Sequence, residues 1–210
     1  MRKSYGNAGK RTLPRLGKGR LLLVLAAVAA VVAAFAVVMS PVGTPASGAA
    51  NLGGTVNTRW GRLSTLDRQL LVKVRQAGLW EMPAGQQAAQ RASSPRVKEV
   101  GEIIMRQHMQ LDADTRAEAQ KLGVLLPNEP NGSQKSWLRE MSGKYGADYD
   151  KTFVLRLRAA HGQVFTVIAK VRAATENTEI RAFAERCLKF VNTHMSLLES
   201  TGLVPRRALH

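Results

Sequence analysis

The stretch SPRVKEVGEIIMRQHMQLDADTRAEAQKLG, residues 94–123, decides the fold. Val97, Val100, Ile104, His108, Leu111, Thr115, Ala119 and Leu122 recur at spacings of three and four, which places them on one face of a helix. Ser94 is a good N-cap, Pro95 suits the first helical position and Gly123 suits a C-cap, so both ends are marked. One member of that face, His108, is ionisable.

The same period continues on either side. Upstream, a helix over about 65–92 puts Leu66, Leu70, Val74, Ala77, Ala84 and Ala88 on one face with Glu81 in line, and Pro83 is expected to kink it. Downstream, 124–133 reads as a loop and 134–142 as a short helix carrying Trp137. A long helix over 148–174 follows, with Phe153, Leu157, Ala160, His161, Val164, Phe165, Ile168 and Val171 inside. Asn177 caps a last helix to about Ser200, with Ile180, Ala184, Cys187, Val191, His194 and Leu198 inside. No strand-like alternation occurs between 63 and 201. The expectation is an all-α domain, a four-helix bundle over 63–203 followed by a C-terminal tail, 204–210.

Each of the four apolar stripes is interrupted by one ionisable residue: Glu81, His108, His161 and His194. Glu81 lies 12 residues before the break at 93/94 and His108 14 after it, so the two sit within roughly 3 Å of the same level. The corresponding count for His161 and His194 gives a stagger of roughly 6 Å, so the four can converge in one layer. Three imidazoles and a carboxylate suit a single transition-metal ion such as zinc, iron, copper or manganese. Asp112, one turn after His108, is a candidate fifth ligand or an acceptor that fixes the His108 tautomer. The competing reading is a buried polar cluster satisfied by hydrogen bonds and water, which would set the register of the bundle.

Glu81 followed by GQQAAQRASSPRVKEVGEIIMRQH to His108, then KLGVLLP, YDKTFVLRLRAAH to His161 and FVNTHMSLLES around His194 resembles a family of exported bacterial proteins known as domain of unknown function 4142. The resemblance runs from about Leu66 to Leu203. It implies a ferritin-like four-helix bundle outside the cytoplasm and no established reaction. A di-iron bundle would use Glu-x-x-His on two helices. Here Met105 and Val191 stand three residues before His108 and His194, which points to one metal ion at most.

The N-terminal region is of a different kind. Residues 1–20 carry seven basic groups and no acid, and Leu21–Met39 are nineteen uncharged apolar residues. A helix of that length spans roughly 28 Å, the thickness of a bilayer's hydrocarbon core. The positive tail then stays in the cytoplasm and the rest crosses. The expectation is a single-pass protein of the cell membrane with its C-terminal domain extracytoplasmic, or a secreted protein if the segment is a signal cut in the small-residue stretch at 46–49. Residues 40–62, rich in Gly, Pro and Ala, read as a linker.

The formal charge of +16 first suggests nucleic acid. Its distribution says otherwise, because residues 65–201 carry 20 basic against 15 acidic groups. Trp60, Trp80 and Trp137 do not interleave with a basic run as a single-strand platform requires, so no nucleic acid is expected. A mildly basic bundle outside the cytoplasm could meet anionic lipid or cell-wall polymer, which would make it a structural or interaction module. Cys187 is alone in the chain, so no internal disulfide forms, and it reads as a buried apolar residue. No nucleophile motif or phosphate-binding glycine loop is present, and nothing argues for a catalytic constellation.

Overall fold

The computed structural model describes residues 54–205. The basic tail and the apolar segment 21–39 lie outside the described residues, as does the linker up to residue 53. Among the described residues no helix is long and apolar enough to cross a membrane.

A short antiparallel hairpin, β1 (Val56–Thr58) and β2 (Gly61–Leu63), precedes five helices: α1 (Thr65–Arg91), α2 (Pro95–Leu122), α3 (Gly132–Ser142), α4 (Gly146–Ala174) and α5 (Thr178–Glu199). The helix ends follow local chemistry. At α1, Ser64 and Asp67 form a reciprocal capping box. At α2, the Ser94 hydroxyl accepts from the Val97 amide and Gly123 takes the left-handed conformation with φ 66°. At α5, the Asn177 side-chain Oδ1 accepts from the amides of Glu179 and Ile180. The turn between α1 and α2 is held from outside by the buried Asp150 of α4, which accepts from both the amide and the hydroxyl of Ser93 and from the Ser94 amide.

The four long helices pack in a square, α1 against α2 and α4, and α5 against α4 and α2. Their order along the bundle follows from two apolar clusters. One holds Leu70, Leu71, Val74, Leu111, Ile168, Phe183 and Val191, and the other Trp80, Ala84, Ile104, Phe153, Leu157 and Leu198. Both α2 and α4 therefore run from the second cluster to the first, whereas α1 and α5 run the opposite way. The connection from Leu122 to Gly146 must cross the length of the bundle, and α3 is part of it, packed on α1 and α4.

Two expectations need correction. The linker assigned to 40–62 ends earlier, because Val56–Leu63 form the hairpin, which joins the bundle when Asn177 donates to Thr58 and Gly61 and Thr178 donates to the Trp60 carbonyl. Strands of three residues are too short to show alternation, so no sequence pattern marked them. The tail assigned to 204–210 begins too early, since Val204 is buried against the second cluster. Pro83 lies inside one continuous helix, as the single helix expected over 65–92 requires.

Candidate metal centre

Each long helix passes from one apolar cluster to the other at its ionisable residue. In α1 this is Glu81, between Val74 and Ala84; in α2 His108, between Ile104 and Leu111; in α4 His161, between Leu157 and Ile168; in α5 His194, between Val191 and Leu198. The four form a polar layer across the core and are 1–4% exposed. One donor atom from each lies within 4.8 Å of the other three. Glu81 Oε2 is 3.0 Å from His108 Nε2 and 3.4 Å from His161 Nε2, and His161 Nε2 is 2.9 Å from His194 Nδ1. Donors on a tetrahedral ion with bonds near 2 Å stand about 3.3 Å apart, which the three short separations match, and the widest, up to 4.8 Å, must close by small side-chain shifts for all four to reach one ion.

The protons sharpen the picture. His161 Nδ1 donates to the Leu157 carbonyl at 2.8 Å, and a carbonyl only accepts, so the neutral ring turns a bare lone pair at Nε2 inward. His194 Nε2 lies 2.8 Å from Gln107 Oε1, and with the amide oxygen so placed the ring donates there and keeps its lone pair at Nδ1. The 2.9 Å contact between those two atoms thus joins two acceptors when both rings are neutral. Glu81 Oε2 and both ring nitrogens of His108 are buried without a hydrogen bond, the 3.0 Å approach of Glu81 and His108 being poorly aligned for one. Buried polar atoms without partners are costly, and a central cation satisfies all of them except His108 Nδ1.

Charge points the same way. Burial holds the His161 ring below the ordinary imidazole range, against the pull of Glu81. Burial, with His108 and His161 alongside, takes His194 down to about 2. Burial pushes the Glu81 carboxyl up, but His161, His108 and His194 together bring it down to about 2. Burial disfavours the charged form of these two imidazoles, while the buried carboxylate depends on positive charge beside it. A metal cation meets both demands at once, because it binds deprotonated donors.

Asp112 is not brought into this group. It pairs with Arg75 across to α1 and with Arg116 along its own helix, so its carboxylate is already engaged. Cys187 is buried beside the cluster and lines the same cavity of about 20 Å³, and burial raises its thiol to about 12. It is therefore protonated and a poor ligand as it stands. Met109 is 58% exposed and turned away from the core.

Gln107 was not legible as a site residue. It stands beside His108 in sequence but works on His194 across the α2–α5 contact, and only the fold reveals that pairing. Partners that fix a ligating histidine are worth 10–100-fold in metal affinity. Gln107→Leu should accordingly weaken zinc binding by about that factor, with helicity unchanged, in a competition titration against a chromophoric chelator.

A helical bundle whose core is divided by a buried carboxylate–imidazole layer is thus the class that fold and site define. The chain belongs to the family described as Domain of unknown function (DUF4142), whose model matches residues 56–200. No curated protein and no solved structure matches it.

Proposed function

We propose that this protein is a ferritin-like metal-binding bundle that holds one transition-metal ion, zinc, iron or copper, through Glu81, His108, His161 and His194. The observation that carries the reading is the convergence of the four side chains, one donor atom of each within 4.8 Å of the others, with His161 Nε2 and His194 Nδ1 2.9 Å apart and each ring held by a hydrogen bond on its far side. The single long crossover between α2 and α4 supports the ferritin-like comparison, since that connectivity is typical of such folds. With no second carboxylate in the cluster, the donor set is that of a one-ion site. The charge order of residues 1–39 supports a membrane-anchored protein whose bundle faces outward, where it would meet metal ions outside the cytoplasm.

Elemental analysis of the purified full-length protein after zinc loading and desalting tests the site. The expected result is close to one zinc per chain for the wild type and none for the His108→Ala, His161→Ala double variant. Equal zinc in both, or none in either, would remove the basis of the proposal.

A further inference from the structure

We propose that the ion enters and leaves the centre through the cleft between α1, α3 and α4, with Glu81 as the first ligand it meets. This rests on the metal reading above and adds the route and its control.

The cleft holds about 140 Å³. Amides of Gln76, Gln134 and Gln163 and the rings of Trp80 and Trp137 line it, and Lys73 stands exposed at its rim. Its floor contains Ala77, Glu81 and Val164, and the same three residues line the small inner cavity from the other side. The barrier between the cleft and the cluster is therefore a methyl group, an isopropyl group and the carboxylate itself. Elsewhere the inner cavity is walled by Val74, Leu111, Ile168, Cys187 and Val191, buried in the first apolar cluster, and by the half-buried ring of Phe190.

A divalent cation sheds water one molecule at a time, and each departing water needs an oxygen to replace it. Side-chain amides offer such oxygens along the cleft, and Glu81 offers the first charged donor at its end. An apolar wall offers none. Lys73 carries the wrong charge for an arriving cation, so it slows association, and it does so in a salt-dependent way.

The test is stopped-flow zinc association with the full-length protein, together with release to excess chelator. Lys73→Glu should speed association several-fold at low ionic strength, and the gain should vanish near 1 M salt. Gln163→Trp, which fills the mouth from an exposed position, should slow both association and release while zinc stoichiometry and melting temperature stay at wild-type values. Lys98→Glu makes the same charge change ten residues before His108 and should leave the rates alone. If zinc binds one to one but Lys73→Glu and Gln163→Trp exchange it at wild-type rates, the route is wrong and the metal reading stands. A gain with Lys98→Glu equal to that of Lys73→Glu would assign the effect to net charge and also overturn the route. Failure of the wild type to bind zinc would overturn both.

Discussion

Zinc at a hundred times its dissociation constant should raise the melting temperature of the metal-free protein by roughly 5–10 °C, since that excess stabilises by about 2.7 kcal/mol and each kcal/mol is worth about 2–4 °C in a domain of this size. The informative partner measurement is Glu81→Gln. That change keeps the shape and removes the only formal negative charge in the polar layer. If the layer exists to hold a cation, the metal-free variant should melt at or above the wild-type temperature, because a buried charge without a fixed counter-ion has been removed. Its response to zinc should be lost. A cluster held by a Glu81–imidazolium pair predicts the reverse, because removing one partner of a buried pair costs about 3–5 kcal/mol. Differential scanning calorimetry of the two proteins with and without zinc separates the cases. A lower melting temperature for metal-free Glu81→Gln, with no zinc shift in the wild type, would favour the hydrogen-bonded cluster.

Legibility varied with how each helix is covered. All eight residues assigned to the inner face of α2 and all six assigned to that of α5 are buried. In α1 the buried arc is wider than the periodic stripe. Trp80 lies off the stripe on the side that α3 covers, where it meets Trp137 edge to face at 5.2 Å, and Leu71, on the opposite flank, is buried in the first apolar cluster. The convergence of the four ionisable residues was legible because counting from tight turns gives height in an antiparallel hairpin. Asp112 was misplaced for a reason of direction. One turn of separation puts it on the same side as His108, but Arg75 on the facing helix draws its carboxylate away. Gln107 and the Leu157 carbonyl carry no pattern of their own, and their roles follow only from how the rings are turned.

Gly85→Ala should be the most damaging single-methyl change in the bundle, costing about 1–3 kcal/mol as overpacking does, even though alanine is the better helix former by about 1 kcal/mol. A β-carbon at 85 would lie 2.4 Å from the Gly101 carbonyl oxygen and 2.9 Å from Met105 Cβ. One at 101 would lie 2.6 Å from Ala88 Cβ. The obstacles are backbone and Cβ atoms, which cannot rotate aside, so α1 and α2 must move apart. Glu81 lies one turn before Gly85 on α1, and its partner His108 lies two turns after Gly101 on α2. Separation of the helices here should therefore open the Glu81–His108 edge, and zinc affinity should fall together with stability. Gly78→Ala is the matched control, because its β-carbon would meet nothing closer than 3.7 Å, an ordinary contact. That variant should gain stability by about 0.5–1 kcal/mol, the ordinary advantage of alanine over glycine in a helix, and should bind zinc like the wild type. Urea denaturation of the three metal-free proteins, followed by zinc competition titrations, measures both effects. Similar stability for Gly85→Ala and Gly78→Ala would show that the close crossing of α1 and α2 is not what holds the two ligands together.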